Sequence, residues 1–252
     1  MASNPPAQCC TVGVKHEGQP TGSFIKIADN INTYIAEPKE NVHKDTAIIY
    51  LPDVIGIWQN SQLMVDQFAA NGYYTVLPDI LNGDPVLLNR PKDFDIMQWL
   101  TKGSDGNNPH TYTYVDPIVE KTIEYLKSKG YTKIGAVGYC FGAKYVARYL
   151  AEGKGIDVGY VAHPSFIEED ELRAIKGPLS IAAAETDHIF PTDKRHKTEE
   201  ILKEIKAAYQ INLYSGTEHG FSVRCDLSKP EERFAKEQAF LQAITWFDHY
   251  LN

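Results

Sequence analysis

The stretch from Lys133 to Gly142 constrains this chain more than any other. Ile134 to Gly138 is a short apolar run of the kind that fills a buried strand, and a helical pattern follows at once, from about 141 to 151. Glycines at 138 and 142 bracket Tyr139, Cys140 and Phe141. Strand therefore passes into helix through a turn with little room for side chains at either end. A strand feeding directly into a helix is one half of a strand–helix–strand crossover, and such units build parallel sheets with right-handed connections.

The rest of the chain repeats this logic. Apolar runs at 46–53, 73–79, 157–163, 179–185 and 211–216 read as strands. Helical patterns occupy 61–71, 116–129, about 193–208 and 230–250, with Gly72 and Gly130 placed to end the first two. Ahead of them, 23–38 alternates around an Asp29–Asn30 turn and predicts an antiparallel hairpin. Residues 80–115 carry Gly, Asn and Pro at short intervals, which predicts an irregular, lid-like excursion with a short helix near 92–102. With 252 residues, 43% of them apolar, the expectation is a single domain over 1–252. Its class is α/β, with a mainly parallel central sheet and helices on both faces.

Charge and targeting signals narrow the partners. A net charge of −8 argues against nucleic acid or anionic membrane as a general partner, because both attract basic patches. The first ten residues lack the basic and apolar regions of a signal peptide, and no apolar run is long enough to span a bilayer. Cys9, Cys10, Cys140 and Cys225 form no dense disulfide framework, so a reducing, cytoplasmic setting is expected. The Cys9–Cys10 pair has no spaced Cys or His ligands near it in sequence, so neither a metal nor another cofactor is expected. A small-molecule substrate and a monomer or homodimer complete this reading.

Ligand sites in parallel sheets gather at the carboxyl ends of strands. Cys140 sits at such an end and at a helix N-terminus, where the helix dipole and free backbone N–H groups favour a thiolate. Asp187 follows the run ending at 185, and His219 follows the one ending at 216. Nucleophile, acid and base thus come in the chain order of the α/β-hydrolase fold. A thiol needs a base to ionise it, and the base needs a carboxylate to fix its tautomer. Asp193, His188 and His163 are alternatives for the acid and the base: Asp193 falls at the next helix start, His188 points elsewhere, and His163 follows a different strand. An oxyanion hole would use the Phe141 N–H and that of Val54, with Ile55 the lesser choice. Asp53 would hold the resting thiol or modulate its ionisation, or else simply cap the loop 53–58.

At these residues the chain resembles the dienelactone hydrolase family, especially its fungal branch. Segments 9–22, 51–85, 137–147, 162–166, 185–191 and 218–224 carry the likeness over nearly the whole length. The resemblance implies hydrolysis of small carboxylic esters or lactones by a Cys-His-Asp triad, here Cys140, His219 and Asp187. Where bacterial members place a glutamate before the first oxyanion donor, this chain has Asp53, one methylene shorter. The arginine those members carry just after the segment at 77–79 is absent from 80–84, and Arg224 stands one residue beyond its counterpart. Arg224 is thus a candidate for substrate binding. These departures point toward a more apolar or aromatic substrate, with Trp58, Tyr112 and Phe166 as candidate lining, each of which packing alone would also explain.

Two other readings compete with hydrolysis through an acyl-thioester. One is an isomerase, dehydratase or cyclase acting on a polyketide-like metabolite with the same scaffold; the other is a non-catalytic binding protein with an ordinary thiol at Cys140. Product mass separates the first from hydrolysis, and selective alkylation of Cys140 separates the second.

Overall fold

A computed structural model describes every residue except Asp29 and Asn252. Its eight strands are β1 (Ser23–Ile27), β2 (Ile31–Ala36), β3 (Thr46–Leu51), β4 (Tyr74–Pro78), β5 (Lys133–Tyr139), β6 (Val158–Ala162), β7 (Leu179–Thr186) and β8 (Tyr209–Glu218). They form one sheet in the order β1-β2-β4-β3-β5-β6-β7-β8. The hairpin β1–β2 is antiparallel and joins β4 antiparallel, and every other pairing is parallel. This is the α/β-hydrolase fold. The predicted Asp29–Asn30 turn lies partly outside the described residues, because Asp29 is among those not described.

Strand composition sets the two layers. In β3 all six residues are buried; Ala47, Ile49 and Leu51 face one layer while Ile48 and Tyr50 face the other. The first layer receives α3 (Tyr112–Ser128) through Val115, Val119, Ile123 and Leu126, together with α4 (Gly142–Tyr149) and α6 (Thr192–Glu204). The second receives α1 (Gln59–Ala70) through Met64, Val65 and Phe68, and α8 (Pro230–Tyr250) through Ala239 and Phe247. A strand apolar on both faces makes sense only under such double cover.

Three elements were not foreseen from the sequence: the 3-10 turn Gln8–Thr11, α5 (Glu169–Arg173) and α7 (Phe221–Arg224). Each is five residues or shorter, too short to show periodicity. The predicted helix near 92–102 is α2 (Ile96–Lys102), started by the Asp95 side chain accepting from the Met97 and Gln98 N–H groups. The excursion around it is pinned at its neck, where His110 Nε2 and Asp84 Oδ2 are 2.9 Å apart and the Trp99 indole N–H donates to the Asp84 carbonyl at 3.0 Å. Trp99 also meets Phe141 edge-on, with ring centroids 6.4 Å apart, so the excursion packs on the turn that follows β5.

Candidate active site

The site begins with β5. Its register pairs Leu51 with Gly138 and Tyr139 with Ala162, which sets the end of β5 between the loops leaving β3 and β6. Cys140 then turns the chain with φ +51, a left-handed conformation that a non-glycine residue adopts at a cost of about 1–3 kcal/mol. Its N–H donates to the Ala162 carbonyl at 3.2 Å, and its own carbonyl accepts from Ser165 at 3.0 Å and from Ala143 at 3.2 Å. The flanking glycines are required by close approach. A methyl group on Gly138 would lie 2.7 Å from the Ala143 Cα, and one on Gly142 would overlap the Leu51 carbonyl.

Asp187 and His219 arrive by a different register. At the far side of the sheet the β7–β8 ladder runs to Thr186–Glu218, with a bulge between Ala184 and Thr186. The next residues, Asp187 and His219, are thereby brought side by side. His219 Nδ1 stands 2.9 and 3.1 Å from the two Asp187 oxygens, and both side chains are buried. Asp187 Oδ1 further accepts from the Ile189 and Phe190 N–H groups at 2.8 and 3.0 Å. Burial alone would push the Asp187 carboxyl up, but the His219 charge and these N–H donors hold it below its ordinary range. Burial likewise opposes charge on His219; the carboxylate of Asp187 and the thiol of Cys10 outweigh it and raise the imidazole to about 10.

The alternatives weighed from sequence go elsewhere. Asp193 is exposed in the first turn of α6, and His188 is exposed at the surface. His163 is buried, with Nε2 2.8 Å from Ser222 Oγ, and its ring lies edge-on to His219 at 4.9 Å.

Between Cys140 and His219 stands a residue that the sequence offered no reason to place there. Cys10, from the 3-10 turn, accepts from the Cys140 thiol at 3.3 Å and lies 3.7 Å from His219 Nε2. Both sulfurs are fully buried. The expectation that Cys9–Cys10 lacks ligands nearby holds along the chain but not in space. Burial, and then the hydrogen bond with Cys140, raise the Cys10 thiol above its ordinary range.

Arg224 fixes this arrangement. One guanidinium nitrogen pairs with Asp53, Nε donates to the Val12 carbonyl at 3.0 Å, and the other nitrogen donates to the Cys9 carbonyl at 3.2 Å. Asp53 Oδ1 meanwhile accepts the Ile55 N–H at 3.0 Å. Asp53 is thus engaged with Arg224 and its own loop, and the group that meets the resting thiol is Cys10. Burial raises the Asp53 carboxyl, partly offset by the Arg224 charge. A second buried arginine, Arg90, feels charge on Cys10 and Cys9, which opposes the lowering that its burial imposes. Its position in the irregular excursion gave no sequence signal.

The Ile55 N–H is occupied by Asp53, whereas the Val54 and Phe141 N–H groups meet no acceptor among the described residues. Trp58 is half-buried at the start of α1, and its indole N–H is buried without a partner among the described residues. Phe166, one residue beyond the Ser165–Cys140 bond, packs under Lys144 at 4.9 Å. Tyr112 lies at the start of α3, more than half exposed, with Arg148 over its ring at 4.8 Å. A cleft of about 700 Å³ opens above His219, lined by Gln8, Cys9, Val12, Asn89, His188 and Arg224 among others. Cys140 does not reach it: the N-terminal segment lies between.

The fold and this buried Cys, His and Asp group define an α/β-hydrolase scaffold carrying the elements of a nucleophilic site. The sequence profile of the dienelactone hydrolase family matches residues 31–251. Hydrolase pyvD of Aspergillus violaceofuscus is 49% identical over 253 residues, covering 100% of this chain and 99% of that protein. Hydrolase tropI of Talaromyces stipitatus is 48% identical over 255 residues, with the same coverage. The crystal structure of a putative dienelactone hydrolase from Klebsiella pneumoniae superposes with a TM-score of 0.74 at 16% identity, covering 91% of this chain and 99% of that one, a likeness of fold. The chain belongs to the dienelactone hydrolase family.

Proposed function

We propose that this protein is a cysteine hydrolase of small carboxylic esters or lactones. The observation that carries the reading is Cys140 itself: a buried thiol held at positive φ, at the head of a helix, opposite a His219–Asp187 pair that has no other evident task. The Cys140 thiol gives its proton to His219, and attack of the resulting thiolate on the substrate carbonyl gives a tetrahedral oxyanion, for which the Phe141 and Val54 N–H groups are the donors. His219 protonates the departing alkoxide, leaving an acyl-thioester on Cys140. His219 then takes a proton from water, the hydroxide adds to the acyl carbon, and the carboxylic acid leaves as the thiolate returns.

In the arrangement described, Cys10 occupies the space that the leaving oxygen needs. Productive binding therefore draws the N-terminal segment aside and puts substrate between Cys140 and His219. Trp58, with its free indole N–H, and Phe166 are the nearest candidates to line the acyl side. Arg224 acts through Asp53 and the N-terminal carbonyls, and contacts substrate only once that segment moves; Tyr112 would lie at the outer rim. Among the described residues no helix is long and apolar enough to cross a membrane. All four cysteines are free thiols, in keeping with a reducing cytoplasm.

Steady-state hydrolysis of short-chain aryl esters and lactones, with product mass recorded, tests the reading. Cys140→Ala and Cys140→Ser are each expected to lose about a thousandfold or more in kcat/KM. A slow ester should leave an acyl mass on the peptide containing Cys140, and products should gain one water. Retained turnover in both variants would overturn the assignment, and a product isomeric with its substrate would replace hydrolysis with rearrangement.

A further inference from the structure

The hydrolytic chemistry uses Cys140, His219 and Asp187 and gives Cys10 nothing to do. Yet Cys10 is fully buried at the one place where it touches both reacting groups. The Cys10 and Cys140 sulfurs and His219 Nε2 all lie within 4.8 Å of one another, with the two closest pairs at 3.3 and 3.7 Å. Ligand atoms around a tetrahedral zinc ion stand about 3.5–3.8 Å apart, as bond lengths of roughly 2.3 Å to sulfur and 2.0 Å to nitrogen require. Side-chain shifts of about an ångström or less would therefore admit the ion.

We propose that Cys10, Cys140 and His219 bind a single soft divalent cation of the zinc class, and that the bound ion holds the N-terminal segment over the nucleophile. The donor set selects the ion: two thiolates and an imidazole suit Zn²⁺ and disfavour Mg²⁺ or Ca²⁺, which want oxygen. The outer shell fits as well. His219 directs Nδ1 at Asp187, so Nε2 faces the sulfurs and offers its lone pair once the ion displaces the proton there, and a carboxylate–histidine pair is the usual support of a metal-bound imidazole. Binding releases the two thiol protons together with the Nε2 proton of His219, the two thiolates neutralise Zn²⁺, and the nearby Arg224 is already paired with Asp53. Three protein ligands leave one tetrahedral position free. The metal site stands on geometry alone, while its inhibitory effect rests on the hydrolase reading.

The test uses the full chain, stripped with a chelator and kept under a phosphine reductant so that Cys10 and Cys140 remain thiols. Zinc retained after gel filtration should reach one ion per chain, and Co²⁺ in its place should show a sulfur-to-cobalt charge-transfer band. Cys10→Ala should weaken zinc binding by roughly a hundredfold or more, and Asp187→Asn by about 10–100-fold. Cys10→Ser, checked by circular dichroism, serves if the alanine variant does not fold. Ester hydrolysis by the unmodified chain should fall as zinc binds and return with chelator, and whatever activity the Cys10 variants keep should not respond to zinc. Zinc affinity unchanged in both Cys10 variants, or a cobalt spectrum without the thiolate band, would overturn the site. Zinc binding in a chain that hydrolyses no ester would leave the site standing and remove only the hydrolase reading.

Discussion

Two regions meet at Cys140 and are built on opposite principles. The sheet around β5 is regular: its strands are apolar on both faces, its helices cover both layers, and Cys140, Asp187 and His219 fall just past strand ends because the ladder register puts them there. The N-terminal segment, residues 1–22, has no strand and only one 3-10 turn. It is tied down by hydrogen bonds to distant parts of the chain. Ala2 and Ser3 donate to Ile167, Asn4 to Ile189, and Val14 to Arg224, while Gly13 exchanges two bonds with Asn89. The first region presents Cys140, and the second covers it. Ladder and layer packing fixes the one, while the other is held mostly by polar ties, with Ala2 and Cys10 reaching the core, so they should respond differently to substitution.

The largest expected effect crosses both regions. Arg224→Met removes the partner of the buried Asp53 carboxylate and the donors to Val12 and Cys9. Breaking a buried pair from one side costs about 3–5 kcal/mol, which urea unfolding would read. Iodoacetamide should also reach Cys140 faster. Adding Asp53→Asn should restore part of the stability without restoring the cover, and recovery of both would show the two regions to be one unit.

Gly142→Ala strikes the sheet alone. Its methyl group meets the Leu51 carbonyl, backbone that cannot yield cheaply, so a loss of about 1–3 kcal/mol is expected. Activity should fall with the displaced turn, while the N-terminal ties persist.

His219 tests the junction through pH. Its imidazole is raised from 6.5 to about 10 in the folded chain. A group raised on folding stabilises fully below its unfolded value and loses that contribution as pH climbs through the folded one. Thermal midpoints should therefore decline between about pH 6.5 and 10, and His219→Gln should flatten that decline. An unchanged slope in the variant would place the decline elsewhere.

The smallest effect belongs to the cover. Asn89→Gly keeps the positive φ of 53 that position 89 adopts but deletes both side-chain bonds to Gly13. About 1 kcal/mol should be lost, with a measurable gain in Cys140 alkylation rate and little change in the cooperative unfolding of the sheet. If alkylation does not change, the N-terminal segment is not what shields the thiol.

The same contrast explains what could be read from the sequence. Periodicity of 2 and 3.6 marked the strands and the longer helices to within a few residues, although the helix expected to run to 208 ends at Glu204, where Lys206 takes φ +55. The turn at 138–142, and the placement of Asp187 and His219 just past strand ends, follow from the same local rules. Cys10 does not. It is separated from Cys140 by 130 residues, and its position depends on Arg224, Asn89 and Ile167, none of which advertises a contact with residues 1–14. The only available signal was the inclusion of 9–22 among the segments that resemble the family. The roles imagined for Asp53 and Arg224 as separate groups also missed that they pair with each other, a contact that spans 171 residues.

The neck of the excursion carries a consequence for how such a scaffold diversifies. Because Asp84 and His110 hold its two ends together, the 25 or so residues between them form a closed handle whose length is uncoupled from the sheet. Doubling the handle would add only about 0.6 kcal/mol of closure entropy. At its tip Gly106 has open space around it, so insertions there would meet nothing. Trp99 reports back to the turn after β5 through Phe141. A chain of this design can therefore remodel the roof of its pocket by lengthening one loop, with Cys140 left in register and the fold undisturbed.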